Sequence, residues 1–200
     1  MIRSIRSRFR VDSGQAFPIY ITVVAGLLFL AFAYFAVGQA AATRNGAQTA
    51  ADAAALAAAQ HSRDELFDGF LDALEDDGPW EDWLSGDEFS TDGGCAAADD
   101  FAARNDSTVT RCGLADTSEY GFSVAIRTDY TVGESIVPGT ESVHGEADAT
   151  AVVEPRCQVD EGGGGEPVEI SCDGEEWLID PDDEEALPEP ADLFSVHLTD

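Results

Sequence analysis

The feature that most constrains this chain is the run of residues 13–43, which contains no charged side chain and is mostly apolar. Its core, residues 17–37, is about long enough to cross a ~30 Å hydrocarbon layer as a single helix. The remainder of the sequence is too polar to enclose such a segment as the buried helix of a soluble protein. We therefore expect residues 17–37 to span a membrane and to contact its lipid.

The charges on either side of this segment predict its orientation. Four arginines precede it (Arg3, Arg6, Arg8, Arg10), whereas nearly all of the 40 acidic residues follow it. Cytoplasmic flanks of membrane helices carry an excess of Lys and Arg. The sequence therefore predicts a basic cytoplasmic stub, residues 1–12, and an extracellular C-terminal domain on a single-pass anchor in the cell membrane.

The main alternative is a cleaved signal peptide, which also begins with basic residues and continues with apolar ones. The apolar run here exceeds the usual length of about 7–15 residues. A small-x-small pattern occurs at residues 40–42, and cleavage there would yield a secreted protein. Because of the length of the run, we interpret it as an uncleaved anchor.

Composition limits the partners of the ectodomain. The formal net charge of the chain is −30, and all its basic side chains other than histidine are arginines. An ectodomain this acidic disfavours nucleic acid and anionic lipid surfaces, since both are polyanions. The charge suits cations or basic ligands. Arginine without lysine, together with abundant alanine, is typical of a high-GC bacterial genome.

The cysteines predict two disulfides. All four lie on the predicted outer side, where an even number of cysteines indicates oxidised pairs with three possible connectivities. We prefer sequential pairing, Cys95 with Cys112 and Cys157 with Cys172, because each pair closes a short loop; a loop of ~15 residues contributes about 3 kcal/mol. The alternative of a four-thiolate zinc site lacks the usual paired CxxC spacing.

The predicted membrane helix continues beyond the lipid. Residues 38–60 are rich in alanine, the best helix former, and contain no proline. Small residues recur there at every fourth position and form what we call the ridge: Gly38, Ala42, Gly46, Ala50, Ala54 and Ala58. A ridge of small residues allows close approach of another backbone. Two interpretations remain open: the ridge packs on its own domain, or it packs against helices of partner chains or of other copies of this chain.

A second helix is expected after residue 61. Ser62 followed by Glu65 has the capping-box spacing, and an apolar stripe follows. The dipeptide at residues 78–79, Gly-Pro, is expected to end this helix, and Trp80 and Trp83 follow in a short turn. Because acidic residues surround the two tryptophans, we expect them to contact the core or a partner and not the membrane.

The remaining head is predicted to be α+β. Residues 95–104 resemble a brief helix, and residues 109–112, 122–130 and 143–153 have the character of antiparallel strands, with a loop at residues 133–141. The last of these strands carries small residues at alternate positions, which predicts that a helix lies close across that face. The fold class is thus a long membrane-anchored helix followed by a small disulfide-stapled α+β ectodomain.

The C-terminal segment, residues 158–200, is an acidic, disulfide-tied tail. Residues 167–172 and 177–179 are expected to form a hairpin, residues 180–192 to be disordered, and residues 193–198 to return as a terminal strand. The predicted domains are the stub 1–12, the anchor and outer helix 13–61, the head 62–157 and the tail 158–200.

Motifs for catalysis are missing from the sequence: it contains no GxSxG, HExxH or P-loop pattern. The histidines (His61, His144, His197) lack metal-ligand spacing, and residues 180–185 read as a solvated acidic run and not as a calcium loop. We therefore predict no catalytic, cofactor or metal residues, no small-molecule substrate and no enzymatic activity.

The segment from Gly14-Gln15 through the run at residues 48–59, QTAADAAALAAA, resembles the N-terminal domain of TadG-like proteins of the Flp (Tad) pilus-assembly system, of the actinobacterial type. The match rests on Gly14, Gln15, Gln48 and Asp52. Two features depart from the family: many relatives carry an aspartate where this chain has Gly38-Gln39, and the glutamate of prepilin-peptidase substrates is replaced by Ile19.

The resemblance implies a membrane-anchored, pilin-like or accessory structural component of a pilus or secretion apparatus. Its partners would be other components of that apparatus, or further copies of this chain, held through the outer helix. The functional alternative from another class is a stand-alone acidic module at the cell surface that captures cations or basic ligands.

Overall fold

The computed structural model describes residues 16–76, 78–116, 120–133, 139, 141–158, 167–180, 183 and 187–199. The predicted stub, Gly14 and Gln15 lie outside this part of the chain, as do most of the predicted 133–141 loop and several residues of the acidic run at 180–185.

Helix α1, Ala16–Glu75, is continuous over 60 residues. At 1.5 Å per residue it is about 90 Å long. Side chains of its N-terminal part are exposed and apolar, and this is the one helix among the described residues that is long and apolar enough to cross a membrane. The predicted long apolar helix that continues into an alanine-rich outer helix is therefore present.

The prediction of a separate second helix is wrong. Ser62 lies within α1, and its Oγ donates a hydrogen bond of 2.8 Å to the carbonyl oxygen of Ser90 instead of capping a helix start. The preceding alanines favour helix propagation, so nothing interrupts the helix before residue 62. After α1 ends, helix α2, Trp80–Leu84, forms the expected short turn.

The main part of the described head is a four-stranded antiparallel sheet with two further helices. Helix α3 (Gly94–Arg104) precedes strands β1 (Ser107–Leu114), β2 (Tyr120–Thr131) and β3 (His144–Pro155). Helix α4 (Pro190–Leu193) leads into strand β7 (Phe194–Thr199). The strand order is β1-β2-β3-β7. The α+β class, the brief helix and the predicted strands are confirmed, including the terminal one. The expected disorder of residues 180–192 is wrong at its C-terminal end, because residues 190–192 belong to α4, whose start is stabilised by a capping box between Glu189 and Asp192.

A second, smaller sheet follows β3. It consists of β4 (Cys157–Gln158), β5 (Val168–Cys172) and β6 (Glu175–Ile179), with β5 and β6 forming the predicted hairpin. The chain then returns, so that β7 pairs with β3 and Phe194 is fully buried. The last strand is thus part of the main sheet, and the boundary drawn at residue 158 remains a prediction.

The core lies between α1 and one face of the main sheet. Alternation along β2 places Phe122, Val124 and Ile126 on this face, where all three are buried. Leu66 and Phe70 of α1 are also fully buried. Helix α1 therefore has two environments, exposed along its apolar N-terminal part and packed against the head along its outer half.

The tryptophans pack within the head. Trp80 is buried and meets the ring of Phe70 edge-on, with centroids 6.0 Å apart. The ring of Trp83 lies over Gly69, at the place where a side chain would begin. Of the contacts expected for these two tryptophans, the structure shows the contact with the core.

Candidate functional site: the outer half of helix α1

Most of the ridge on α1 is covered by the chain's own head. Ala50, Ala54 and Ala58 have no exposed surface. Strand β3 presents the alternate small residues that predicted a helix across this face, and that prediction is confirmed: a Cβ built at Gly145 would lie 2.8 Å from the carbonyl oxygen of Thr43 on α1. Small side chains on both elements let the helix approach the sheet closely.

The two ends of the ridge differ. Gly46 is half-buried under the hydroxyl of Tyr130, which occupies the space that a Cβ would need. Gly38 and Ala42 are exposed, and nothing in the described structure lies within 4 Å of a Cβ built at Gly38. The head therefore covers the ridge from Gly46 through Ala58, which favours packing on the chain's own domain there. Packing of the ridge against partner chains remains a prediction.

Gln48 and Asp52 link the helix to the sheet. The Nε2 of Gln48 donates to Oδ1 of Asp52 at 2.8 Å and lies 3.4 Å from the main-chain oxygen of Asp148 on β3. Spacing of four residues places both side chains on one face of α1. These polar groups thus belong to the packing of the head on its helix.

The three histidines lie apart, as their sequence positions suggest. His61 is 3.4 Å from Glu65 and His197 is 4.0 Å from Glu154, while Nδ1 of His144 is 2.6 Å from the carbonyl oxygen of Thr128. Among the described residues, no group of three or more His, Cys, Asp or Glu side chains could hold a metal ion.

Both disulfides have the predicted sequential connectivity. Cys95 pairs with Cys112 and joins α3 to β1, and Cys157 pairs with Cys172 across the small sheet. The pairing leaves no free cysteine in the described chain. The cysteines therefore serve the stability of the head.

The sequence did not predict two of the contacts that the structure shows. Arg156 joins the small sheet to α4: its Nε donates to Asp173 at 2.6 Å, and its Nη1 donates to the carbonyl oxygen of Ala191 at 2.7 Å. The Tyr120 hydroxyl donates to Asp87 at 3.0 Å, and this hydrogen bond raises the pKa of Tyr120 above its usual value. No local pattern announces either contact, since the partners are far apart in sequence.

Comparison with known families places the N-terminal part of the chain. Residues 14–61 match the family model described as putative Flp pilus-assembly TadE/G-like. This segment is therefore similar to that family, and we call it the TadE/G-like segment. The match confirms the resemblance drawn from Gln48 and Asp52, and it leaves the actinobacterial type as a prediction. No curated protein and no solved structure matches the chain.

The TadE/G-like segment ends inside α1. It covers the exposed apolar part of the helix and the ridge, and it stops at His61, before the α2, α3 and β-strand elements. The head that packs on the outer half of this segment lies beyond the match. The segment thus supplies both the candidate membrane helix and the surface on which the head folds.

Proposed function

We propose that this protein is a membrane-anchored structural component of a Flp/Tad-type pilus or secretion apparatus, either pilin-like or accessory, and not an enzyme. The observation that carries the proposal is the coincidence of the TadE/G-like segment with the exposed apolar helix. The family match supports a role associated with a pilus. The more specific role, that of a structural or pilin-like component, is our inference from a head that is built around a helix.

The proposed topology places residues 1–12 in the cytoplasm and the head outside the cell. Four arginines before the apolar helix support it through the positive-inside bias. Two disulfides support it as well, because they persist in oxidising compartments. In this orientation the acidic head faces the cell wall or the exterior.

The ridge limits where partners can bind. Because Ala50, Ala54 and Ala58 are enclosed by the head, a partner helix cannot reach them without unfolding it. The part of α1 that stays accessible is the apolar span together with Gly38 and Ala42. We infer that contact with other pilus components is made along this part of the helix.

Crosslinking and pull-down from membranes with a C-terminally tagged chain tests the proposal. We expect pilus components to co-purify with the wild-type protein and to be reduced several-fold by Ala42→Leu, which enlarges an exposed position. The matched control is Ala40→Leu, another exposed alanine of α1 outside the ridge.

Recovery of no pilus component with the wild type would contradict the proposal and favour the stand-alone acidic module. Protease added outside intact cells should remove the head and leave a membrane-protected fragment. A soluble mature form that begins near Thr43 would show instead that the segment is a cleaved signal peptide.

A further inference from the structure

The membrane-proximal end of the head lies close to the end of the apolar span. Thr43 is the first residue of α1 that the head buries, through Gly145 of β3. It follows Val37 by six residues, which corresponds to about 9 Å along a helix. Headgroups add roughly 5–8 Å to each side of a ~30 Å hydrocarbon core. If Val37 lies at the edge of that core, the head begins at the outer margin of the headgroup layer.

The helix holds the head at this height. Helix α1 runs without a break from Ala16 to Glu75, so residues 38–42 between span and head are helical and are not a flexible linker. Both the close approach at Gly145 and the buried ridge fix the sheet on the helix. A head attached in this way cannot move away from the membrane independently of its anchor.

Three side chains at this end have the chemistry of a membrane interface. Tyr130, whose hydroxyl rests on Gly46, is 40% exposed, and Val143, beside the start of β3, is 47% exposed. Arg44 is exposed and makes no ion pair with any described carboxylate. Tyrosines are enriched at the headgroup level, and arginines extend along apolar surface to place their charge among polar groups.

We propose that the head rests on the lipid headgroup layer through a collar formed by Arg44, Tyr130 and Val143. The guanidinium of Arg44 faces lipid phosphates, while Tyr130 and Val143 contact the boundary between headgroups and solvent. This proposal depends on the proposed membrane anchor, but it requires no pilus partner. It sets the tilt of the head relative to the membrane.

Charge decides which lipids the collar prefers. Asp129 and Glu141 flank it as exposed carboxylates, and the chain as a whole has a net charge of −30. Anionic headgroups repel such a surface. The collar is therefore expected to contact zwitterionic phosphatidylcholine and to withdraw as phosphatidylglycerol replaces it.

The test uses the full-length chain in phosphatidylcholine nanodiscs. Val143→Cys introduces a single free thiol, since the four native cysteines are paired, and it carries an environment-sensitive fluorophore. The matched control is Leu178→Cys on β6, an aliphatic position that is also exposed and lies on the small sheet beyond the far end of β3. Spin-labelled headgroups should quench the probe at position 143 several-fold more strongly than the probe at position 178. Equal quenching at the two positions would overturn the collar.

A second variant tests the arginine. Adding Arg44→Gln to Val143→Cys should reduce the quenching at position 143 about twofold, and unchanged quenching would remove Arg44 from the collar. Nanodiscs contain no pilus component, so failure of the pull-down leaves this result unaffected. A chain that does not enter the discs would overturn the anchor and the collar together, whatever the pull-down shows.

Discussion

A Cβ built at Gly145 of strand β3 would lie 3.0 Å from the Cβ of Ala47 on helix α1. At this point helix and sheet approach closely, because Gly145 has no side chain and the helix presents only small side chains, Ala47 and Thr43. The same contact places Gly145 against the carbonyl oxygen of Thr43. The position of the head on helix α1 thus depends in part on this small-residue contact.

Gly145→Ala should destabilise the head by about 1–3 kcal/mol, the usual cost of overpacking. The added methyl group meets a main-chain oxygen that cannot move without bending the helix. The control is Gly113→Ala on β1, where nothing in the described structure lies within 4 Å of the new Cβ. Urea unfolding of the full chain in detergent measures both, and equal midpoints would show that the close approach is not maintained in solution.

Ala54→Leu should lower the free energy of unfolding by about 1–3 kcal/mol, because the side chain at position 54 is fully buried against the head. Ala42→Leu should change it by less than about 0.5 kcal/mol, as exposed substitutions usually do. Leucine is also a good helix former, so helix propensity contributes little to the difference. Suppose instead that both variants have the wild-type free energy of unfolding, and that only Ala54→Leu fails to co-purify with pilus components. The buried part of the ridge would then bind a partner helix.

Loss of each disulfide should affect a different part of the head. Replacing Cys95 and Cys112 by alanine should destabilise the head by about 2–5 kcal/mol, since that pair ties α3 to the main sheet. Replacing Cys157 and Cys172 should chiefly release the small sheet, so that protease cleaves within residues 157–179 while the main transition is retained. Non-reducing peptide mapping confirms the pairing, and crossed peptides would refute it.

The hydrogen bond between Tyr120 and Asp87 gives a pH dependence. It raises the pKa of Tyr120 in the folded state, chiefly because the protonated phenol donates a hydrogen bond that the phenolate could not make; burial and the negative charge of Asp87 raise the pKa further. The folded state therefore favours the protonated phenol. This contribution to stability is complete below the usual tyrosine pKa of about 10 and is lost as pH rises through the higher folded value.

Absorbance titration near the tyrosinate band tests this directly. Asp87→Asn should lower the pKa of Tyr120 toward its usual value, and Tyr120→Phe should remove that titration altogether. Superimposable alkaline titrations of the wild type and Asp87→Asn would mean that the two side chains do not interact in solution.

Local pattern sufficed for much of the fold. Alternation along residues 122–130 predicted β2 because each residue of a strand faces opposite to the next. Loop length predicted the disulfide pairing, since Cys95 and Cys157 each have a near neighbour in sequence. The capping-box spacing at Ser62 misled, because a serine caps a helix only where the residues before it are not helical, and here they are alanines within α1.

The sequence alone determined the long apolar helix, the α+β class and the oxidised cysteines, because these depend on composition, periodicity and spacing within short stretches. Only the tertiary structure decided what the ridge packs against. Small residues at Ala50 and Ala54 allow a backbone to approach without specifying which one. The surface that covers this part of α1 proved to be the chain's own head, including β3, about a hundred residues away. Which surface covers a helix face is set by how distant segments meet, and that information is not contained in any local pattern.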